Sequence, residues 1–265
     1  MRSAVALIAV SLARAALDSA SAADTTNTTS ASCPQPFRTT YSVEWHGMNA
    51  GTSTLELTRK NATEYTFRSS NAARGLFRIA LPDTITQVSN FSIVNGTVLP
   101  STYVGDDGSS DTDRDVSLTF DWTEHRVTGT AENKPVDQPL EPGVQDSLSV
   151  QVALMCALAN GTSPKSFKLI DKDEIKEYQY TREGEASLTT SVGKLDTVIY
   201  KSQKTGASRA TRFWIAPSLG FLPVRAEQSK HDKREVVLQI RSVDRTPAAA
   251  PTTGTATGGR RRPTS

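Results

Sequence analysis

The side chains in this sequence that could do chemistry begin with carboxylates at the alternate spacing of a calcium-binding loop. Aspartates hold the first, third and fifth positions of the run Asp111–Asp115, which is how an EF-hand loop begins. The loop next requires a glycine and a closing glutamate, but Val116 and Trp122 stand at those positions. Together with the neighbouring Asp106–Gly108, the run is more typical of a solvated turn, and weak calcium binding is the alternative.

Candidate nucleophiles and general bases are scattered along the chain. His46, His125 and His231 are far apart, and none has a second ligand at metal-binding spacing, so we expect them on the surface or in turns. No Gly-x-Ser-x-Gly elbow is present to activate a serine. The acidic run Asp171–Glu174 is interrupted by a lysine, as in a charged hairpin. We therefore expect no catalytic residues, no metal site, no cofactor and no enzymatic activity.

The two cysteines, Cys33 and Cys156, leave two interpretations open. An exported protein is able to oxidise such a pair to a disulfide. Cys156, however, shares a helical pattern with Leu148, Val152 and Met155, and a buried cysteine commonly behaves as a small apolar side chain. A buried thiol is the favoured interpretation, and the disulfide is the alternative.

The elements that position these residues are mostly strands. Short segments between Phe37 and Val243 alternate apolar with polar residues, which is the pattern of half-buried β-strands. Tyr41, Val43 and Trp45 alternate in this way, and Asn95-Gly96 is a strong hairpin signal. About a dozen strands are expected, and a sheet of so many strands tends to curl or close.

One segment, Gln145–Ala159, has the periodicity of a helix, with Asp146 or Ser147 as its cap and Asn160-Gly161 at its end. Three prolines in the preceding Glu132–Gly143 predict an irregular connection. The predicted fold class is mainly β: a strongly curved antiparallel sheet or partly closed β-barrel with one packed α-helix at about residues 146–159.

The ends of the chain differ in composition from its middle. Residues 1–22 join Arg2, an apolar run and a stretch of small residues, which is typical of a cleaved signal peptide. Residues 23–36 are predicted to be a flexible leader, residues 37–245 a single β-rich domain, and residues 246–265 a disordered tail rich in Pro, Ala, Thr and Gly with an arginine run. We expect an exported chain without a transmembrane span.

Charge argues against a nucleic-acid partner. The formal net charge of the whole chain is +2, and the five arginines of the signal peptide and of the tail are more than this surplus. The predicted domain therefore lacks the basic surplus that holds a phosphate backbone.

Two apolar segments carry the ligand-binding hypothesis. Gly75–Pro82 is a run of large apolar residues without a clean strand period, and Trp214–Pro223 clusters large apolar groups around a tight turn. One interpretation has the second cluster plug an end of the barrel. The other makes both segments the lip of an apolar cavity for an acyl chain, with arginines meeting an anionic head group. The residues of this second hypothesis are Arg74, Leu76, Phe77, Arg78, Ile79, Arg212, Trp214, Phe221 and Leu222.

A set of short runs resembles a family of exported bacterial proteins known as domain of unknown function 3108. The runs are Ala73–Leu76, Asp113–Val116, Pro142–Asp146, Asp173–Tyr178 and Trp214–Pro217. The resemblance spans nearly all of the region between Phe37 and Val243 and implies a bacterial periplasmic protein. It carries over no catalytic residues and implies no mechanism.

These observations favour a periplasmic protein that is not an enzyme and that binds a lipid or another hydrophobic component of the cell envelope. A module that interacts with an envelope protein through exposed sheet edges is the alternative. A hydrolase acting on envelope glycans or lipids is the remotest possibility. Because fold alone does not fix function, the choice depends on the geometry of a site.

Overall fold

The structure is a computed structural model, and it describes residues 33–80 and 83–245. The predicted signal peptide (residues 1–22), most of the predicted leader and the predicted tail (residues 246–265) lie outside the described residues. The predicted β-rich domain is described except for two residues.

Within the described residues, fourteen strands form one antiparallel sheet accompanied by two α-helices and a short 3-10 turn. The strands are β1 (Phe37–Trp45), β2 (Met48–Arg59), β3 (Glu64–Ala73), β4 (Ile85–Val94), β5 (Thr97–Asp106), β6 (Val116–Asp121), β7 (Arg126–Ala131), β8 (Lys134–Pro139), β9 (Ser166–Asp171), β10 (Glu174–Thr190), β11 (Gly193–Lys204), β12 (Arg209–Ala216), β13 (Leu222–Lys230) and β14 (Lys233–Asp244). The helices are α1 (Phe77–Ala80) and α2 (Ser149–Ala159), and the 3-10 turn is Pro217–Leu219.

The sheet is organised around β1, which pairs with β2 on one side and with β14 on the other. The order across the sheet is β8-β7-β6-β5-β4-β3-β2-β1-β14-β13-β12-β11-β10-β9. The first and last strands of the domain therefore meet in the middle of the sheet. The predicted fold class, a mainly β protein with a curved antiparallel sheet and one packed helix, is confirmed, and the sheet stays open between β8 and β9.

The edge strand β8 corrects one expectation from the sequence. Residues 132–143 were predicted to be an irregular connection because of their prolines, yet Lys134–Pro139 pairs with β7 along its length. Proline is tolerated there because an edge strand leaves one row of backbone groups unpaired. Pro135 and Pro139 remove donors from a strand that has a neighbour on one side only.

Side chains and a short loop bridge the gap between the two edges of the sheet. The Gln138 amide donates to the backbone oxygen of Asp173 at 2.9 Å, and Lys134 lies 3.7 Å from the Asp173 carboxylate. Gln145, in the loop after β8, pairs in parallel with Leu169 of β9. The two edges of the open sheet are thus joined by local contacts and not by a continuous strand pairing.

Helix α2 begins three residues later than its capping residue. The Asp146 carboxylate accepts hydrogen bonds from the backbone N–H groups of Leu148 and Ser149, each at 2.8 Å, while the Ser149 hydroxyl accepts from the Asp146 N–H at 2.9 Å. This reciprocal pair is a capping box, so the predicted capping role of Asp146 is confirmed.

The helix lies against the sheet with both of its sides buried. Val152, Met155 and Cys156 belong to the larger core cluster, whereas Val150 and Leu154 belong to a second cluster with residues of β9 to β12. Such a helix ties the two halves of the sheet together. In the part of the chain that the structure describes, no helix has the length and the apolar character needed to cross a membrane.

Cys33 and Cys156 form a disulfide, with Cα atoms 4.4 Å apart and a separation of 123 in sequence. The favoured expectation of a free buried thiol is therefore wrong. Cys156 is fully buried, as expected, but Cys33 packs against the same core cluster and reaches it. Pro34 is also buried, so the residues just before β1, which the sequence assigns to the leader, are held against the domain.

Candidate ligand-binding cleft

The inner face of β1, β2 and β3 changes from bulky to small along the strands. At one end Phe37 lies beside Leu57, which lies beside Phe67, and all three are buried. At the other end Val43 lies beside Gly51, which lies beside Ala73. Because side chains on one face of a sheet repeat every second residue, these are rows of the same surface. The interior is filled at the first end and has space at the second.

That space is a cleft of about 580 Å³, within the range usual for small-molecule sites. Its large apolar side chains come from β1, α1, β4 and β14, and they are Val43, Trp45, Phe77, Ile85, Val236 and Leu238. Its remaining lining consists of the small or uncharged residues Ala50, Gly51, Thr52, Asn71, Ala72 and Ala73. No ionisable side chain lines the cleft among the described residues.

Gly51 and Ala73 make the cleft possible in different ways. A Cβ atom on Gly51 would lie 2.2 Å from the backbone oxygen of Ala72, so the close approach of β2 and β3 requires a glycine there. Ala73 ends β3 and carries only a methyl group next to the open space. A larger side chain at Ala73, which lines the cleft, would reduce its open space.

The mouth of the cleft is marked by an aromatic contact. Phe77 and Trp45 meet edge to face, with ring centroids 5.9 Å apart and planes at 82°. Trp45 is also in contact with the His46 ring, at a centroid distance of 4.4 Å. Trp45 is 44% exposed and Phe77 is half-buried. The two rings therefore form a wall between the cleft and the solvent.

A second cavity, of about 570 Å³, adjoins the cleft and shares Asn71, Val236 and Leu238 with it. Its lining mixes apolar side chains with hydroxyl and amide groups, among them Ser53, Ser69, Gln87, Gln151, Ser202 and Gln228. Only one charged residue, Arg225, lines this cavity within residues 33–80 and 83–245. Its guanidinium donates to Glu227 at 2.9 Å, so the charge is already compensated.

Two tyrosines of the second cavity, Tyr41 and Tyr178, are poorly suited to proton transfer near neutral pH. Burial raises the pKa of Tyr178 to about 12, and the Asp171 carboxylate that accepts its hydrogen bond at 3.1 Å adds to the rise. Burial also raises the pKa of Tyr41 above its usual range, and its hydroxyl donates to the backbone oxygen of Pro223 at 2.7 Å. The hydroxyl groups of Tyr41 and Tyr178 therefore stay neutral, and they act as hydrogen-bonding groups.

The first segment of the ligand-binding hypothesis lies at the cleft. Phe77 lines it, while Leu76 and Ile79 are 83% and 81% exposed. Arg74 and Arg78 are exposed on the same segment. The structure thus brings five of the nine predicted ligand-binding residues to the rim of the cleft, and one of these five contributes to its lining.

The second segment of the ligand-binding hypothesis lies away from the cleft. Leu222 is 1% exposed and belongs to the core, against which Trp214 and Phe221 also pack. The Arg225 guanidinium lies 5.5 Å from the centroid of the Trp214 ring, and Arg212 is 2.6 Å from the Glu183 carboxylate. None of these residues lines the cleft.

The two segments do not form one lip, because their turns lie at opposite ends of the sheet. Antiparallel strands place successive turns alternately at the two ends. The pairings of β1 through β4 put α1 near the end of β1 at Trp45. Those of β13 and β14 put the turn before Leu222 near the start of β1 at Phe37. The interpretation of Trp214–Pro223 as filling one end of the barrel agrees with this placement.

Sequence reasoning missed most residues of the cleft. The alternation of Tyr41, Val43 and Trp45 already placed Trp45 on an apolar face, and that was the available signal. Val236 and Leu238 face Trp45 and Val43 because β1 pairs with β14. No local sequence pattern predicts the pairing of β1 with β14.

The acidic run forms a charged turn. Oxygen atoms of Asp106, Asp107 and Asp115 lie within 4.8 Å of one another, whereas Asp111 and Asp113 are not in this group. Hydrogen bonds from Ser109 lower the pKa of Asp107, and Arg114 lies 2.7 Å from the Asp107 carboxylate. The carboxylates at EF-hand spacing do not converge on one point. This agrees with the absence of the glycine and the glutamate that such a loop requires.

The three histidines occupy turns, as expected from the sequence. His46, His125 and His231 all adopt the left-handed region, with φ of 48°, 53° and 47°. Each lies in the connection between two strands that pair as a hairpin. Their positions reflect the geometry of tight turns.

The fold and the cleft together define a class of protein: a barrel-like antiparallel β protein with an uncharged apolar opening at one end of its interior. The model of the family described as protein of unknown function (DUF3108) matches residues 40–231. The chain belongs to this family, and the resemblance stated from the sequence is confirmed. No curated protein matches the chain in sequence.

Two solved structures are similar to this chain at low sequence identity. The beta-barrel-like protein of domain of unknown function DUF1849 from Brucella abortus is similar with a TM-score of 0.55 and 12% identity, over 80% of this chain and 98% of that one. The complex of MucA and MucB from Pseudomonas aeruginosa gives a TM-score of 0.36 and 11% identity, over 82% of this chain and 53% of that one. The first of these supports the barrel-like fold.

Proposed function

We propose that this protein is an exported binding protein, without enzymatic activity, that takes an apolar chain of a lipid or a similar envelope component into the cleft. The observation that carries the proposal is the lining: large apolar side chains from four elements surround open space, with no ionisable group among them. Water in such a space has few hydrogen-bonding partners, and an apolar chain would replace it favourably.

The driving force is the removal of methylene groups from water. Each buried methylene contributes about 0.8 kcal/mol, which corresponds to roughly a fourfold change in affinity. Specific polar recognition is not needed for a chain of this kind. The adjoining cavity, with its hydroxyl and amide groups, offers hydrogen bonds to an uncharged polar part of the same ligand.

Two observations support export. The first is the signal-peptide pattern of residues 1–22. The second is the Cys33–Cys156 disulfide, because such bonds persist in oxidising compartments such as the bacterial periplasm. We infer the periplasm as the place of action.

The alternative function, an interaction module that recruits a partner strand at a sheet edge, finds less support. The free edge of β8 carries Pro135 and Pro139, and prolines discourage strand addition. The edge of β9 is occupied at Leu169 by Gln145. Among the described residues, neither terminal strand of the sheet therefore presents a free edge along its whole length, although β10 beyond Gln179 pairs with β11 only.

The test is binding of a fluorescent apolar probe, N-phenylnaphthylamine, followed by displacement with a fatty acid. Ala73→Leu fills the cleft, and we expect at least a tenfold loss of probe affinity, because the added methylenes occupy the binding space. Val104→Leu is the matched control, since Val104 is 48% exposed on β5 and does not line the cleft. The proposal fails if Ala73→Leu, folded by circular dichroism, binds the probe as well as the parent does.

A further inference from the structure

The rim of the cleft exposes more large apolar surface than its surroundings. We define the apolar rim as Trp45, Met48, Leu76 and Ile79, which are 44%, 52%, 83% and 81% exposed. Among the described residues, six large hydrophobic side chains are noticeably exposed, and four of them are in this rim. Single exposed apolar residues are ordinary on a protein surface, but a group of them next to a cavity indicates a contact surface.

The local backbone fixes the direction of the two most exposed side chains. Gly75 has a positive φ of 57°, and the turn continues with the N–H of Ile79 donating to the Leu76 oxygen at 3.1 Å. Phe77 is held inside by its contact with Trp45. Because Phe77 points into the cleft, Leu76 and Ile79 are left on the solvent side of the turn.

Basic side chains accompany this surface. Arg74 and Arg78 are exposed on the segment 74–79, which contains no acidic residue. Neither guanidinium is ion-paired with a carboxylate among residues 33–80 and 83–245. Aliphatic side chains flanked by unpaired basic groups have the composition of surfaces that enter the boundary of an anionic bilayer.

We propose that the apolar rim docks on a lipid bilayer, with Leu76 and Ile79 entering the acyl boundary and Arg74 and Arg78 facing anionic head groups. The rim lies beside the mouth of the cleft, which Trp45 lines, so a docked protein would exchange an apolar chain with the bilayer without exposing it to water. This last step rests on the proposed function, whereas the docking itself does not.

A bilayer fits the rim better than a protein partner does. A stable protein interface usually buries about 800 Å² on each side around a well-packed apolar core. The apolar rim instead has its two most exposed side chains, Leu76 and Ile79, on a single helical turn, with the opening of the cleft beside them. Insertion into a bilayer requires only that a few aliphatic groups leave water and that nearby charges match the head groups.

The acidic turn sets the orientation of the docked protein. Asp106, Asp107 and Asp115 cluster on the loop that follows β5, and Gly108 of that loop lies against the backbone of Asp83 and Thr84. The carboxylates therefore lie next to the end of the β3–β4 connection at Asp83 and Thr84. Arg74 is at the opposite end of that connection. We expect an anionic surface to favour contact through Arg74 and Arg78 and to repel the side of the acidic turn.

The experiment is co-sedimentation of the exported chain with vesicles of phosphatidylethanolamine and phosphatidylglycerol. Leu76→Ser/Ile79→Ser should lower vesicle affinity by about tenfold or more, since the apolar contribution is lost. Arg74→Gln/Arg78→Gln should weaken binding to these vesicles and leave binding to pure phosphatidylcholine vesicles unchanged. Val94→Ser/Val104→Ser, with two exposed valines outside the rim, is the matched control and should bind as the parent does.

Several outcomes would overturn the docking proposal. It is wrong if the parent chain does not sediment with the vesicles, or if Leu76→Ser/Ile79→Ser sediments as the parent does. A photocrosslinker at position 76 that forms adducts with an envelope protein and none with lipid would also contradict it. Probe binding in the cleft, measured on the same proteins, separates the two claims: a parent chain that binds the probe but does not sediment with the vesicles refutes this inference and leaves the proposed function standing.

Discussion

Trp45 and Phe77 meet edge to face at the mouth of the cleft, with ring centroids 5.9 Å apart. Trp45 is the last residue of β1, and Phe77 is the first residue of α1, after β3. The contact joins the end of one strand to a connection two strands further along the chain. It explains how a short turn with two exposed aliphatic side chains keeps one aromatic ring inside the cleft.

Phe77→Ala and Trp214→Ala should have different consequences. Phe77→Ala removes part of the cleft wall, so we expect weaker probe binding and a small loss of stability, about 1 kcal/mol, from the lost aromatic pair. Trp214→Ala removes a side chain that packs against the core, so we expect a larger loss of stability and unchanged probe affinity in the folded fraction. Urea unfolding and probe titration on both variants check this. Equal effects of the two changes on probe affinity would contradict the assignment of the cleft.

Affinity should follow the chain length of the ligand. In a series of fatty acids that displace the probe, each added methylene should tighten binding roughly fourfold until the cleft is filled. Longer chains should then gain little. The same series on Ala73→Leu should reach its plateau at a shorter chain, because less space remains. A series without dependence on chain length would indicate that the head group, and not the chain, determines binding.

Stability should depend on the protonation of Asp146, which is fully buried. Burial raises the pKa of this carboxyl above 3.8, although the hydrogen bonds from Ser89 and from the start of α2 oppose the rise. The folded state then holds the proton more tightly than the unfolded state does. Stability therefore decreases as the pH rises from about 4 towards the raised pKa, and the decrease is complete above it.

Asp146→Asn removes this titration and keeps an acceptor for the helix. The free energy of unfolding of the parent, relative to that of Asp146→Asn, should fall as the pH rises above about 4. Asp171→Asn is a control of opposite sign: burial acts to raise the pKa of Asp171, but hydrogen bonds from Lys204 and Tyr178 leave it lowered, so its contribution is lost as the pH falls. Denaturation curves at several pH values check both, and parallel curves for parent and Asp146→Asn would show that Asp146 does not titrate as described.

The Cys33–Cys156 disulfide should stabilise the domain considerably. It joins residues 123 apart in sequence, and removal of a native disulfide typically costs about 2 to 5 kcal/mol. We expect a reducing agent to lower the urea midpoint of the parent to that of Cys33→Ser. Cys33→Ser itself should not respond to the reducing agent. A parent midpoint that is the same with and without reductant would contradict a stabilising bridge.

Local patterns predicted much of the fold. The alternation in Tyr41–Trp45 predicted β1, and Asn95-Gly96 predicted the hairpin between β4 and β5, where these residues have φ of 50° and 79°. Both signals are local, since a strand needs a repeat of two and a tight hairpin needs positive φ at its two central residues. The helix was found for the same reason, with Asp146 as its cap.

Features that depend on distant pairings could not be predicted in the same way. The pairing of β1 with β14 brings Val236 beside Trp45, and it follows from the closure of the whole sheet. The bond between Cys33 and Cys156 likewise depends on where the chain enters the core. The hypothesis that Phe77 and Trp214 share a lip was based on their large apolar side chains. The sequence does not show at which end of the sheet each turn lies.

The most direct test of the central claim is quenching of Trp45 fluorescence by a brominated fatty acid. The protein would carry Trp122→Phe and Trp214→Phe, so that Trp45 is its only tryptophan. We predict saturable quenching of Trp45, with the same concentration dependence as displacement of the probe, and its loss in Ala73→Leu. Saturable displacement of the probe without quenching of Trp45 would place the ligand elsewhere and contradict the account of the cleft.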